Sequence, residues 1–220
     1  GSNTISSALA MDKAFCKIIL DKYNIKQVPY VILNKKTKIK EITSKLNYPV
    51  IVKPANGGSS IGISIANNAR ELVKALSNAF KYDKKVVVEK FVKARELEVG
   101  VIENNGIICS SIGEIKSQGF YDFDSKYIKD TEVIVNADLK KETKLKIKEY
   151  AREIFKILEC SGFARVDFLY DEINEELYFN EINTIPGFTD ISMFPKLFIN
   201  DGYSYSEIID ILIKNAKRRP

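Results

Sequence analysis

GFARVDFLYDEINEELYFNEIN, residues 162–183, reads as two strand-like runs joined by a short turn, and its polar residues fall in phase. Arg165 and Asp167 are two apart in the first run, Glu181 and Asn183 two apart in the second. Side chains two apart on a strand share a face. With Asp171 to Glu175 as the turn, residue 165 lies near 181 and 183 with matching parity. Two carboxylates, an amide oxygen and a guanidinium then converge on one sheet face. Oxygen ligands of this kind suit Mg²⁺, which is commonly shared between one or two carboxylates and the phosphates of a nucleotide. The competing reading is an amphipathic hairpin whose polar face is wet, as antiparallel sheets often allow. The flank argues against it, because FNEINTIPGF passes straight into a Pro-Gly turn without a run of solvating residues. The hairpin therefore predicts a nucleotide site with a metal.

Around it, 220 residues suffice for one large domain or two small lobes with a real core, and 45% apolar content is ordinary for a globular chain. Lys and Arg outnumber Asp and Glu by 34 to 29, a net +5 compatible with anionic substrates but too dispersed for nucleic acid. Only Lys217-Arg218-Arg219 is a basic cluster, explained by a solvated terminus. Cys16, Cys109 and Cys160 match no CxxC metal spacing and suggest buried thiols in a reducing compartment. With no histidine, a Ser-His-Asp triad, a Cys-His pair and a His-ligated zinc are excluded. No stretch approaches membrane-spanning length and no signal peptide is visible, so a cytoplasmic protein without membrane partners is expected. The chain opens GSNTISSALAMDK without an initiator Met, so Gly1-Ser2 reads as an appended remnant or the whole as the tail of a longer protein.

Periodicity predicts a helix from Ala8 to Tyr23 with Leu9, Ala10, Phe15, Ile18 and Ile19 as its apolar stripe, then a strand at Gln27–Leu33. A Lys-rich segment with helical spacing (Ile39, Ile42, Leu46) precedes a buried strand, Tyr48–Pro54, and a second strand at Ile61–Ala66. Asn68 caps a helix to Phe80 carrying Leu72, Val73 and Leu76 inward, and Lys85–Glu89 is a strand. The second half starts with strands Leu97–Ile102 and Gly106–Ile115. Lys116–Asn136 reads as an ordered loop over a site, and Asp138 as the cap of a helix to Leu158. A loop through Pro195 and a helix Ser206–Lys217, with Ile208, Ile209, Leu212 and Ile213 as its core stripe, close the chain. Two α+β lobes meeting at a cleft, residues 1–92 and 93–220, is the simplest architecture.

The loop Asn56-Gly57-Gly58-Ser59-Ser60-Ile61-Gly62 joins two strands and offers small side chains and open backbone N–H groups. It can cover phosphate oxygens, since amides approach closely where Cβ atoms are absent. It lacks GxxxxGK[ST] and opens no helix, so it is no P-loop, and a simple Gly-Ser turn is the competing reading. Lys53 ends a buried strand just before it; its ammonium either meets an anion or snorkels to water. Glu89-Lys90-Phe91-Val92 ends a strand and offers backbone groups to a purine edge.

Together SSALAMDK (6–13), YPVIVKPANGGSSIGIS (48–64), VVVEKFVKARELEVGVI (86–102), GFYDFDSKYI (119–128) and CSGFARVDFLY with LYFNEINTIPGFTDISMFPKL (160–197) resemble the D-alanine–D-alanine ligases of the ATP-grasp superfamily. The motifs run in the family's order over nearly the whole chain. The resemblance implies an α+β ATP-grasp fold and ATP-dependent joining of two D-alanines through an acyl phosphate, for peptidoglycan synthesis. It also implies ATP and two Mg²⁺ ions, with Mn²⁺ as a substitute, and a homodimer for the full-length protein. By the same resemblance Lys13 and Lys53 contact phosphates, and Gly58, Ser59 and Ser60 form the lid over them. Glu89, Lys90 and Val92 line the adenine and Glu96 meets the ribose. Asp167, Glu181 and Asn183 hold the metal, while Arg165 and the Gly187 N–H stabilise an oxyanion. Ser192 and Met193 face the second amino acid's carboxylate. Lys126 and Tyr127 sit on the closing loop, with Tyr127 bonding through to Ser59.

The departure is at the front, where the family carries a further domain of about a hundred residues that completes the first D-alanine pocket. The chain thus reads as a truncated form. Tyr127 and Met193 favour D-alanine as second substrate. The alternatives are a Mg-ATP-binding module inactive alone, and a ligase of the D-Ala–D-Ser type.

Overall fold

A computed structural model describes residues 1–35, 39–117 and 131–217. Two antiparallel sheets organise it. The first has the order β1-β4-β2-β3, from β1 (Tyr30–Asn34), β2 (Val50–Pro54), β3 (Ser64–Ala66) and β4 (Lys85–Lys90). The second has the order β7-β6-β5-β8-β9, from β5 (Arg95–Glu103), β6 (Ile107–Ser117), β7 (Thr131–Ile134), β8 (Phe163–Asp171) and β9 (Glu176–Asn183). The helices are α1 (Thr4–Met11), α2 (Lys13–Lys22), α3 (Ile39–Thr43), α4 (Ala69–Ala79), α5 (Lys141–Ile157), α6 (Met193–Asn200) and α7 (Tyr205–Lys217).

Alternation along the central strands of the second sheet sorts its two faces. Leu97, Val99 and Val101 of β5 and Ala164, Val166 and Phe168 of β8 turn to one side, where Ile147, Ala151, Ile154 and Phe155 of α5 cover them. Ile102 takes the other side, in a core with Phe194 and Phe198 of α6 and Ile208 of α7. The residues in phase with Ile102 along β5, and their β8 partners, include Glu96, Glu98, Gly100, Arg165 and Asp167. Half of this face is thus closed by α6 and α7, and half carries charge.

Two glycines make the close fit of α6 feasible. A Cβ on Gly113 would lie 2.6 Å from Met193 Sδ, and one on Gly100 would lie 2.6 Å from Phe198 Cε2. Ser111 Oγ donates to Leu197 O at 2.9 Å, pinning α6 to β6. Pro195 sits in the first turn of α6, where its missing N–H is no loss. A helix therefore stands where a loop through Pro195 was expected.

Other expectations also need correction. The predicted helix Ala8–Tyr23 is two helices, broken at Asp12, whose carboxylate caps α2 by accepting from Ala14 N and Phe15 N at 3.1 Å each. The break resets the helical phase, so Phe15 and Ile18 are exposed while Ala14, Cys16, Lys17 and Leu20 face inward. The strand expected from Gln27 starts at Tyr30, after Pro29, and the one expected from Ile61 starts at Ser64, because Ser59, Ser60 and Gly62 take left-handed backbone. Val73 is exposed. Asp138 does not cap α5: the helix begins after Lys140 without a side-chain cap, and Asp138 O accepts from Arg95 Nη2 at 2.9 Å. The ends of the expected loop 116–136 are strand, with Lys116 opposite Glu132; residues 118–130 lie outside the described residues. Asn68 does cap α4, accepting from Glu71 N at 3.0 Å. The three cysteines are buried, and burial pushes the thiols up, Cys16 to about 12 and Cys109 and Cys160 to about 11.

Helix α2 touches both sheets: Ala14 forms a small cluster with Ala55 and Val87 beside the first, whereas Cys16 and Leu20 join a core of the second. Among the described residues no helix is long and apolar enough to cross a membrane. On α7 the expected stripe shrinks to Ile208, which is fully buried, with Leu212 packed at its margin and Ile213 48% exposed. Ser204 and Glu207 form a reciprocal cap that fixes this phase, with Ser204 N donating to Glu207 Oε2 and Glu207 N to Ser204 Oγ. Ile208→Ala is accordingly expected to destabilise the protein by about 2–5 kcal/mol, and Ile213→Ala by less than about 0.5 kcal/mol. Urea unfolding of the two variants checks this, and equal losses would contradict the assigned face.

Candidate functional site

The predicted hairpin forms in the predicted register. Arg165 pairs with Asn183 and Asp167 with Glu181. A bulge follows between Asp167 and Phe168, so that Phe168 faces Phe179 and Asn180 becomes the extra residue. Bulges re-aim side chains and are frequent beside functional sites. Here the bulge brings Asn180 into hydrogen-bonding reach of Lys53, which comes from the other sheet.

Pairing extends the acidic row inward. Glu98 on β5 stands opposite Asp167, so Glu98, Asp167 and Glu181 lie in line across three strands. Glu98 was missed from the sequence, although it is two residues from Glu96 and the alternation that selected Arg165 and Asp167 would have found it. Arg165 holds both oxygens of Asp167, Nε to Oδ1 at 2.8 Å and Nη2 to Oδ2 at 2.7 Å, and its Nε lies 3.2 Å from Glu98 Oε2. Asn183 Oδ1 accepts from Ile185 N at 3.0 Å.

One guanidinium does not balance this face. Burial, then the Asp167 charge, pushes the Glu98 carboxyl up to about 8 against the pull of Arg165, with Glu96 and Glu181 adding to the rise. Burial likewise raises Asp167 to about 6, against the pull of Arg165. Glu98 Oε2 is buried with no hydrogen-bond donor. Surplus acid, with one guanidinium shared between Glu98 and Asp167, is what a further cation would relieve, so these residues fit a divalent ion. Among the described residues no group of three His, Cys, Asp or Glu side chains stands arranged around a metal position, and Asp167 is clasped by Arg165.

The first sheet supplies the opposite charge. Lys53 Nζ lies 2.6 Å from Glu89 Oε2 and donates to Asn180 Oδ1 at 3.1 Å. Burial alone would lower the Lys53 ammonium, but Glu89 outweighs it and holds it above the ordinary lysine range. Lys13 Nζ donates to Gly57 O at 2.8 Å and stands 3.6 Å from Glu181 Oε2. A third lysine, Lys17, which sequence reading missed, is buried with its Nζ 2.9 Å from Glu89 Oε1. No pattern announces it, since a lysine on a helix is ordinarily solvated.

The glycine loop is anchored at its base. Asp83 Oδ2 accepts from both Asn56 N at 2.8 Å and Asn56 Nδ2 at 2.9 Å, and Asp12 Oδ2 meets Lys85 Nζ at 2.5 Å. Gly62 has φ +75°, and a Cβ there would lie 2.6 Å from Tyr82 Cδ2, so only glycine fits. Beyond this base Gly58 and Ser59 are exposed and Ser60 is half-buried.

Lys90 and Val92 line an open depression of about 450 Å³ with Phe91, Asp171, Asn174 and Tyr178. Glu89 does not join them through its side chain, which is buried between the lysines. Gly187 abuts Ser192, whose Oγ would meet a Cβ there at 2.7 Å and accepts from Thr189 N at 3.0 Å. Met193, expected to face a substrate carboxylate, is instead buried with its thioether against Gly113. Lys126 and Tyr127 lie outside the described residues.

Residues 19–214 match the family described as D-ala D-ala ligase C-terminus. The chain belongs to this ligase family. It is 45% identical to the D-alanine–D-alanine ligase of Clostridium acetobutylicum over 100% of this chain and 66% of that protein. It is 46% identical to D-alanine–D-alanine ligase B of Clostridium tetani, over 98% of this chain and 63% of that protein. The chain thus spans just under two thirds of the length of these relatives. Among solved ligase structures, the D-Ala:D-Ser ligase of Enterococcus faecalis superposes with a TM-score of 0.89 at 36% identity, covering 97% of this chain and 63% of that one. The D-alanine–D-alanine ligase of Coxiella burnetii gives 0.86 at 32% identity, covering 98% and 59%. The ATP-grasp fold expected for the chain is the fold of these ligases.

The acidic row of the ligase chain has a pH signature. Unfolded carboxyls titrate near 4, so between about pH 4 and 8 the metal-free folded state holds protons at Glu98 and Asp167 that the unfolded chain has released. The stability from these groups is present below about pH 4 and is lost as pH rises through about 6 and then 8. In the presence of a chelator, Glu98→Gln should flatten the upper part of that decline in Tm. Parallel wild-type and variant profiles would contradict the assignment.

Proposed function

We propose that this chain carries the nucleotide and metal machinery of an ATP-dependent ligase that joins two D-alanines for peptidoglycan synthesis in the cytoplasm. The observation that carries this reading is the meeting of two lysines from the first half of the chain with the acidic hairpin: Lys53 on Asn180 at 3.1 Å and Lys13 by Glu181 at 3.6 Å. A polyanion bound with a divalent cation suits that juxtaposition of positive and negative rows. The lobes divide between β4 and β5, near residue 92, and α2 bridges them. The full-length protein acts as a homodimer.

In this reading Lys13 and Lys53 bind phosphate oxygens, and the loop of Gly58, Ser59 and Ser60 covers them. Lys90 and Val92 line the purine with the backbone of Glu89, and Glu96 binds the ribose. Asp167, Glu181 and Asn183 would hold two Mg²⁺ ions, which supply charge neutralisation at the transferred phosphoryl group. For Asp167 to serve, Arg165 must turn from its carboxylate toward the reacting carbonyl. Arg165 and Gly187 N–H then stabilise the oxyanion that develops there. The first D-alanine carboxylate attacks the γ-phosphate, releasing ADP and forming an acyl phosphate. The amine of the second attacks that carbonyl, losing a proton as phosphate leaves. Ser192 orients the second amino acid through its hydroxyl, and Met193, buried against Gly113, takes no direct part.

The fit to a D-Ala:D-Ser ligase supports D-serine as the competing second substrate. Product analysis with equimolar D-alanine and D-serine decides between them; D-alanyl-D-alanine is the expected main product. A phosphate-release assay with D-alanine separates a competent ligase from a module that only binds Mg-ATP. D-alanine-dependent turnover by these 220 residues would eliminate the module. In whichever length of protein turns over, Glu181→Gln should reduce turnover by about 100-fold or more with the fold intact. Retained activity would remove Glu181 from the metal site.

A further inference from the structure

Lys17 is 1% exposed, an unusual state for a lysine. It lies one turn after Lys13 on the same face of α2, and the two ammoniums diverge. Lys13 reaches the glycine loop, while Lys17 Nζ stands 2.9 Å from Glu89 Oε1 and 5.1 Å from the centre of the Tyr30 ring. The other oxygen of Glu89 is held by Lys53 at 2.6 Å. One buried carboxylate therefore serves two buried ammoniums. Lys17 Nζ has no aligned hydrogen-bond acceptor, so its contribution is its charge.

Burying an ammonium is costly, and a well-packed apolar side chain in its place is often neutral or stabilising. Packing thus gives no reason for a lysine between Ala14 and Leu20. Electrostatics does. A lone Lys53–Glu89 pair is neutral and offers little to an anion. With Lys17 added the cluster carries +1, and the next polar neighbour of Lys53 is the uncharged amide of Asn180. Two further acids, Glu181 and Glu96, act on Lys53 only through space, and Glu181 lies 3.6 Å from Lys13. Glu89 stays ionised: although burial opposes it, Lys17 and Lys53 hold its carboxyl down at about 2.

We propose that Lys17 is a positioning residue that takes up the charge of Glu89, so that Lys53 presents a net positive charge to the phosphates of the bound nucleotide. This rests on the nucleotide reading above. Lys17 touches no ligand itself; it sets the charge state of the residue that does.

The test is the ratio of the Kd for adenosine to the Kd for Mg-ATP, measured by calorimetry on the whole chain, with thermal unfolding as the check on folding. The ratio isolates the phosphate contribution from contacts to the base. Lys17→Met should lower it by about tenfold or more, and adding Glu89→Gln to Lys17→Met should restore it to within about threefold of wild type, because charge balance returns. A folded Lys17→Met protein with an unchanged ratio overturns the proposal. So does a double variant whose ratio stays tenfold low, which would mark Lys17 as a direct phosphate ligand or a packing element. If Lys17→Met does not fold, the double variant, which removes the buried carboxylate along with the buried lysine, decides by the same criterion. Wild-type protein that binds Mg-ATP no more tightly than adenosine would instead refute the nucleotide reading.

Discussion

The central strands β5 and β8 have neighbours on both edges and cover on both faces, and that constraint governs the molecule. Buried polar groups must find partners, and buried charges must be paired. One face meets the constraint with α5 and aliphatic side chains. The other meets it in halves: apolar packing from α6 and α7, with α6 close over Gly100 and Gly113, and charge pairing around Arg165. The boundary falls between Gly100 and Glu98, two residues apart on the same side of one strand. The site is the part of the second core where apolar cover stops.

That layout explains which parts were legible in the sequence. Alternation of period two is a local property, so the hairpin register, the shared face of Arg165, Asp167, Glu181 and Asn183, and the strands flanking the glycine loop could be read directly. Glu98 carried the same signal and was available to the same argument. The bulge at Asn180 was not, because a bulge is set by the fit between strands rather than by either strand alone. The first helix misled because Asp12 was counted within a run, when its short carboxylate favours a cap. Once the phase breaks there, Phe15 turns outward over the ammonium of Lys85, 3.8 Å from its ring centre. Met193 differs for another reason: its role came with the family resemblance, and the first turn of α6 buries its side chain against Gly113 while the Ser192 hydroxyl stays beside Gly187.

Lys17 shows a deeper limit. Helical periodicity identifies which positions face inward but assumes that inward means apolar. Here the inward position holds a cation whose ammonium lies 2.9 Å from Glu89 on a strand of the first sheet, and that partner is 72 positions away in sequence. Long-range pairing of this kind leaves no local trace. The physical reason is that a buried charge is determined by its whole surroundings, whereas a buried methyl group needs only to be out of water.

The glycine loop brings the two halves of the argument together. Its base is fixed by Asn56 on Asp83 and by Gly62 wedged against Tyr82 and Pro54, while its crown carries two successive serines with φ of 54° and 59°. Left-handed backbone at a residue with a Cβ costs about 1–2 kcal/mol, so the crown is held in a conformation that the residues themselves disfavour. Strain of this sort persists only where the surroundings impose it. The imposing contacts are at the base, and Lys13 reinforces them by donating to Gly57 O. An anion arriving between Lys13 and Lys53 would compete for that same ammonium. The glycine loop and Lys13 are therefore joined through one hydrogen bond.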